Sequence, residues 1–250
     1  MVLLNDIVFF LDKYLDTKNF DDHFTNGLVV VGAKTVTKIA LAVDPCIDVL
    51  KKAKKQGCKL IITHHGIFSN DDSELNEVNK KRIDFLKKNK IALYISHHPL
   101  DVHEKIGNSK IMANLLGLKN QKPFFKIGEH FYGISGELEI DINELKENIS
   151  KKIGSLITVH DFGLKITKRI AIVSGSGCDA INCMKKENID TLITGTPKHH
   201  AFYEAKELKL NVFYAGHYAT EVFGVKTVGE KLKSQYNELN MQFIDSVTNL

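Results

Sequence analysis

Three apolar stretches of this chain end in groups that can bind a cation or move a proton. Leu60-Ile-Ile-Thr-His-His-Gly66 runs into two adjacent imidazoles, Ile91-Ala-Leu-Tyr-Ile95 into Ser96-His-His-Pro-Leu-Asp101, and Leu210-Asn-Val-Phe-Tyr-Ala215 into Gly216-His-Tyr-Ala-Thr-Glu221. Each apolar run is too short for an independent helix and has the β-branched and aromatic content of a buried strand. His64 and His65 alone are equally consistent with residues that cap a core strand, but three strands that each finish in His, Asp or Glu are hard to attribute to packing. Imidazole suits zinc, iron, cobalt, nickel and manganese to different degrees, and a carboxylate adds charge and can bridge two cations. His64, His65, His97, Asp101, His217 and Glu221 together exceed the three or four protein ligands of a single zinc centre. The surplus points to two divalent ions, roughly 3.5 to 4 Å apart, with open positions for water.

Such groups converge when they sit in loops beyond the carboxyl ends of parallel strands, the usual ligand crevice of an α/β sheet. The surrounding elements fit that placement. Lys38–Val43 reads as a strand that delivers Asp44 at its end, residues 46–56 as a helix, and Leu60 onward as the next strand, a crossover that makes a parallel pair. A helix over residues 79–88 turns Ile83, Phe85 and Leu86 inward before the strand Ile91–Ile95. Pro99 stops that strand and places His97, His98 and Asp101 in a loop; with Gly216 alongside, His217 and Glu221 are also expected in a loop for at least part of their length. Segment 67–78 is polar and reads as the rim of whatever His64 and His65 line. Near the N-terminus, residues 3–14 form an amphipathic helix with Asn5 as its candidate cap. The Asp-Asp-His-Phe-Thr-Asn-Gly27 segment after it is turn-like.

Asn108–Leu116 is a short helix that Gly117 terminates, and residues 117–128 read as the connection into a second half. There, Gly133–Ile140, Ser155–Val159, Ile170–Val173 and Asp190–Thr194 are strands, and Ile142–Ile153 is a helix. The turn Ser174-Gly-Ser-Gly-Cys-Asp179 could present backbone N–H groups to a phosphate. It lacks the spacing of a dinucleotide or nucleotide loop, which favours an ordinary tight turn. The fold class is therefore α/β, in two domains of mainly parallel strands covered by helices: residues 1–120, contributing His64, His65, His97 and Asp101, and residues 121–250, contributing His217 and Glu221. The terminal helix is a candidate to pack back on the first domain.

Composition bounds the function classes. The chain has 250 residues, 26% charged, with a formal net charge of +4 and a mean hydropathy of -0.14. No run approaches the roughly 20 apolar residues of a membrane span, and the first residues lack a signal-peptide pattern, so a cytoplasmic protein with no membrane role is expected. The four cysteines form no CxxC pair and read as small apolar fillers. The basic residues are almost all lysine, with only Arg82 and Arg169, and are interleaved with acids. That pattern is a solvated surface more than a nucleic-acid footprint.

The sequence resembles the NIF3/DUF34 family, whose members are often labelled homologues of type 2 GTP cyclohydrolase I. The resemblance lies in Asn26-Gly-Leu28, Ile62-Thr-His-His-Gly66, His97-x-Pro-Leu-Asp-x-His103 with Gly107-Asn108, Thr194-Gly195 with His200, and Gly216-His-Tyr-Ala-Thr-Glu221 followed by Phe223-Gly224. It implies two related α/β domains, a dinuclear divalent-metal site and a toroidal homohexamer. By motif it makes His64, His65, Asp101, His217 and Glu221 the metal ligands and His97 a further site residue, the candidate catalytic base or orienter. Glu221 is the first candidate to bridge the two cations, and Asp101 the second. At Thr196-Pro197 the chain departs from the acidic residue that many relatives carry after Thr194-Gly195.

A fold and a metal site constrain the substrate weakly. The leading reading is a metal-dependent hydrolase acting on a nucleotide or phosphate ester. The alternatives are a metallochaperone or metal-binding regulator, and a ring-shaped nucleic-acid-binding protein with lysines along its opening.

Overall fold

The computed structural model describes residues 1–67, 76–154 and 157–248. The chain divides into two compact units, Met1–His103 with Gly224–Ser246, and Glu104–Phe223 with Val247–Leu250. The first unit opens with strand β1 (Val2–Leu3) and helix α1 (Leu4–Leu15), which buries Leu4, Ile7, Leu11 and Leu15 at helical spacing. Its N-cap residue is Leu3 and no side chain caps it, so Asn5 does not have that role. Strands β2 (Gly27–Val30), β3 (Thr35–Val36) and β4 (Lys38–Ala42) follow, with β3 pairing back on β1. Helix α2 (Ile47–Lys55), strand β5 (Leu60–Thr63), helix α3 (Glu77–Asn89), strand β6 (Ala92–Ile95) and the single turn α4 (His98–Asp101) complete this stretch. Most of the polar segment expected to form a rim, residues 68–75, lies outside the described residues.

The second unit runs through α5 (Asn108–Leu116), β7 (Lys119–Ile127), β8 (His130–Asp141), α6 (Ile142–Ile153), β9 (Thr158–Asp161) and β10 (Ile166–Val173). It continues through α7 (Ile181–Met184), β11 (Thr191–Thr194), α8 (His199–Leu208) and β12 (Asn211–Tyr214). The division between units falls within the long helix α9 (His217–Gln235), after which strand β13 (Asn240–Phe243) joins the first unit. The strand expected from residue 155 begins at Thr158; residues 155 and 156 lie outside the described set.

The five-stranded sheet of the first unit has the order β13-β4-β5-β6-β2. Its first four strands are parallel and β2 is antiparallel to β6. All residues of β5 and β6 are buried, as a sheet covered on both faces requires. Ala40, Ala42, Ile61, Leu93 and Ile95 pack with Val49, Leu50 and Ala53 of α2 and Ile83 and Leu86 of α3. On the opposite face, the Tyr94 hydroxyl donates to Asp12 of α1 at 2.9 Å. Gly229 of α9 also comes so close to that face that an added Cβ would fall 2.2 Å from Leu41 Cδ1.

The six-stranded sheet of the second unit has the order β7-β8-β10-β11-β12-β9. Alternate residues face opposite ways: Ile170, Ile172, Ile193 and Phe213 pack with Leu145 and Ile149 of α6, while Ala171, Val173, Leu192 and Val212 pack with Met184 of α7 and Ala201 and Ala205 of α8. Only β10, β11 and β12 are parallel to one another; β8, β7 and β9 pair antiparallel. The expected mainly parallel arrangement is therefore corrected to mixed sheets with parallel centres. Residues 117–128, read as a connection, are instead mostly strand β7, joined to β8 by a two-residue turn at Gly128 and Glu129 that only an antiparallel pair can use. Their polar, Pro123-containing sequence suits the outermost strand of a sheet, where a missing N–H costs nothing.

Candidate metal centre

In the first unit, adjacent parallel strands deliver the chemistry at their carboxyl ends. β4 leads to Asp44, β5 to His64 and His65, and β6 to Ser96 and His97. Backbone hydrogen bonds hold these ends in register: His65 N donates to Val43 O at 2.9 Å and Ser96 N to Thr63 O at 3.0 Å. His64, His65 and His97 come together, with ligand nitrogens all within 4.8 Å of one another. Asp22, His97 and His98 form an overlapping group by the same measure. Asp101 joins through its Oδ2, 3.5 Å from His64 Nε2.

The polypeptide around each imidazole selects which nitrogen carries the hydrogen. His64 Nδ1 lies 3.0 Å from the Ser96 carbonyl, His65 Nδ1 lies 2.7 Å from Asp44 Oδ1, and His97 Nδ1 lies 2.7 Å from Asp22 Oδ1. Carbonyl and carboxylate oxygens only accept, so each Nδ1 donates and each neutral ring offers its lone pair at Nε2. Histidines that bind metals characteristically have this outer hydrogen bond. Asp22 is nearly buried and also accepts from His98 N at 2.9 Å and Asn26 Nδ2 at 2.8 Å. Burial pushes its carboxyl up, but the hydrogen bond and charge of His97, with Asn26 and His98, outweigh burial and hold the group well below the usual carboxylate range. Burial beside His97 also lowers the pKa of the His98 imidazole.

Pro99 does not force His97 to Asp101 into a loop. It occupies the start of the turn α4, where a residue without an N–H is accommodated. His103 packs on Tyr14, with ring centroids 4.8 Å apart and Nε2 3.2 Å from the Tyr14 carbonyl.

The second unit repeats the strand-end arrangement. β10 opens into Ser174–Gly177, β11 into Gly195 and Thr196, and β12 into Gly216 and His217. Gly216, at φ +84°, turns the chain directly into α9, so His217 and Glu221 are an i,i+4 pair on a helix instead of loop residues. Their Nε2 and Oε1 atoms lie 3.1 Å apart. Thr196 Oγ1 lies 2.8 Å from His217 Nδ1 and Ser176 Oγ 3.5 Å from it.

The Ser174–Gly177 turn is structural. Ser174 N donates to Ser109 Oγ, Gly175 N to Thr220 Oγ1 and Gly177 N to Thr194 Oγ1, which commits those N–H groups to side chains. Gly175, at φ +60°, lies so close to the carboxylate that an added Cβ would sit 2.3 Å from Glu221 Oε1. His200, by contrast, pairs with Asp179 at 3.2 Å.

The donor chemistry fits divalent cations. With metal–nitrogen and metal–oxygen bonds of about 2.0 to 2.2 Å, neighbouring ligands of one ion stand roughly 3 to 3.5 Å apart, the spacing of His64 with Asp101 and of His217 with Glu221. Sequence reasoning overlooked Asp22 as a site residue and gave Asp44 and Thr196 no role. The signal for Asp44 was its place at the end of β4. For Asp22 it was the nearby Asn26, whose Oδ1 accepts from His97 N at 2.8 Å.

Among the described residues, no helix is long and apolar enough to cross a membrane. An Archaeoglobus fulgidus protein named "GTP cyclohydrolase 1 type 2 homolog" is 33% identical over 249 residues, covering 99% of both chains. A Pyrococcus abyssi protein of the same name is 36% identical over 248 residues, covering 98% of both. The crystal structure of TTHA1606 from Thermus thermophilus superposes with a TM-score of 0.90 at 34% identity over the full length of both chains. The model of the family described as Duf34/NIF3 (NGG1p interacting factor 3) matches residues 2–249, and the chain belongs to the Duf34/NIF3 family.

Proposed function

We propose that the chain holds two divalent cations, with His64, His65 and Asp101 as ligands in the first unit and His217 and Glu221 in the second, and hydrolyses a nucleotide or phosphate ester. The observation that carries this reading is the set of Nδ1 hydrogen bonds from His64, His65 and His97 to obligate acceptors, which leaves the Nε2 lone pairs of His64 and His65 for a cation and that of the adjacent His97 for proton transfer. The name shared by the Archaeoglobus and Pyrococcus relatives supports a nucleotide as the substrate class. Bound divalent ions supply Lewis-acid chemistry and make water acidic enough to ionise near neutral pH. Asp22 fixes the ring of His97, which leaves Nε2 as the atom that takes up or returns a proton.

Metal analysis after dialysis, paired with turnover of nucleotides, phosphate esters and pterin precursors, tests the reading. Glu221→Gln keeps the side-chain volume and is expected to lower metal content and turnover together. His97→Gln is expected to keep the metal and lose about 10²- to 10⁴-fold in rate. A metal-free wild-type protein after reconstitution with zinc, manganese, iron, cobalt or nickel rejects the site. Full metal content with no turnover of any substrate favours a metal carrier instead. A homohexamer is proposed with the site, in line with the closed symmetry common among soluble oligomers. Light scattering of metal-replete protein should give a mass near six subunits, and a stable monomer rejects that assembly.

A further inference from the structure

Helices α2 and α3 pack on the same face of the first sheet and end in the same way. Gly57 N donates to Lys54 O and Cys58 N to Ala53 O; likewise Lys90 N donates to Lys87 O and Ile91 N to Leu86 O. Both helices thus close in a left-handed turn, at Gly57 (φ +77°) and Lys90 (φ +53°). Their exits enter adjacent strands: Ala92 N donates to Lys59 O at 2.9 Å and Lys59 N to Lys38 O at 3.0 Å. Lys54, Lys59, Lys88 and Lys90 consequently line one cleft of about 390 Å³, with Cys58 and Asn89. It lies at the amino ends of the strands whose carboxyl ends carry the histidines, and β5 sets Lys59 roughly 16 Å from His64.

The charge in this cleft is uncompensated. A lysine in the last turn of a helix answers the helix dipole, which accounts for Lys54 and Lys88, but Lys59 and Lys90 lie beyond the helices. Residues 23–43, 49–66 and 85–100, the stretches that supply strands β2 to β6, contain no Asp or Glu. Among the described residues, none of the four lysines pairs with a carboxylate, and all four are exposed. Burial pushes the Cys58 thiol up against the opposing charge of Lys38, so the thiol adds no negative charge at neutral pH. Gathered ammonium groups repel one another, and a polyanion relieves that repulsion. Lysine is a compact point charge with rotatable donors, suited to phosphate oxygens rather than to planar, bidentate recognition. The nearby Phe85 ring lies under Lys54 Nζ, 5.8 Å from its centroid, so that face is not open to stack on a base.

We propose that this cleft binds a run of adjoining phosphate groups, recognised by charge and without contact to a base. The proposal is independent of the metal reading, since none of its residues lies at the strand ends that hold the candidate ligands. The probe is inorganic tripolyphosphate, titrated calorimetrically into the full-length chain in the presence of EDTA. Wild type should bind one tripolyphosphate per chain, less tightly as salt is raised from about 50 to 200 mM. Lys59→Gln with Lys90→Gln should weaken binding about tenfold or more, the scale of lost hydrogen bonds to a charged group. Lys54→Gln with Lys88→Gln, which leaves the strands and the left-handed turns alone, should reproduce the loss. Lys185→Gln with Lys186→Gln, exposed lysines of the second unit, should leave binding unchanged. ATP should bind as tightly as tripolyphosphate and AMP far more weakly, while circular dichroism melts establish that every variant is folded. No binding by the wild type, or equal affinity in wild type and both cleft variants, overturns the site. ATP binding much more tightly than tripolyphosphate overturns recognition by phosphate alone. A single-stranded RNA that outcompetes tripolyphosphate at the same lysines makes the surface a nucleic-acid groove and overturns the proposal.

Discussion

Asp22 shows how much one buried carboxylate organises. It sits outside the strand ends that carry the histidines, yet it orients His97 and receives the N–H of His98 at 2.9 Å and the Asn26 amide at 2.8 Å. Asp22→Ala leaves those donors without their charged acceptor, and the expected cost is about 1.5 to 3 kcal/mol, the range for hydrogen bonds to a charged group. Chemical denaturation at pH 7 in the presence of a chelator measures it without a metal contribution. The sign of the pH dependence follows from the shift. The folded carboxyl has a lower pKa than the unfolded one, which ionises near about 3.9, so its stabilisation is complete above that value and is lost as pH falls through the folded pKa. Between about pH 4 and 2 the wild type should therefore lose stability more steeply than Asp22→Ala. Parallel acid profiles for the two proteins would exclude this role.

At the scale of elements, the Ser174–Gly177 turn and the start of α9 are one packed assembly. Thr220 accepts from Gly175 N at 3.0 Å and donates to the His217 carbonyl at 2.8 Å, which ties the turn to the helix that carries both candidate ligands. Gly175→Ala would put a methyl group where the Glu221 carboxylate lies, at a φ of +60° that costs an alanine roughly 1 kcal/mol or more. The expected result is a modest fall in melting temperature with a clear loss of zinc occupancy by elemental analysis; undiminished occupancy would show that Glu221 adapts freely. The strand ends were legible because runs such as Ile61-Ile62 and Leu93-Tyr94 are apolar without interruption and stop abruptly at histidine. Thr196 was not, because its significance is a contact with a ring many residues later in the chain. Nor was the helical setting of His217 and Glu221, since a glycine before a helix and a glycine within a loop look the same in one sequence. Strand β7 was missed because Lys119 to Lys122 are all polar and Pro123 follows them, and only Phe124 of the strand is buried, as an outermost strand allows.

At the scale of the molecule, the two units differ in how much of the chain each requires. The second is almost contiguous and has its own core on both faces of its sheet, from Leu145, Ile172 and Phe213 on one side to Met184, Leu192 and Val212 on the other. The first cannot be completed until the last segment of the chain is made. Strand β13 pairs with β4 from Asn240↔Lys38 to Phe243↔Leu41, Ile244 N donates to Leu41 O at 2.8 Å, and Gly229 of α9 sits against Leu41. Without residues 224–246, β4 would be an exposed, hydrophobic sheet edge, a template for aggregation. It would also lose the helix that covers Leu41. Residues 104–223 expressed alone should therefore melt cooperatively, since a segment of about that length can bury a sufficient core. Residues 1–103 alone should aggregate, and the same residues joined by a flexible linker to 224–246 should recover a cooperative melt. The sequence separation of these contacts also makes closure of the first unit the slow event in folding, because a long loop must close before the contacts reward it. In refolding of the whole chain, amides of β10, β11 and β12 should gain hydrogen-exchange protection before those of β4. Protection appearing first in β4, or a stably folded 1–103 fragment, would refute this order.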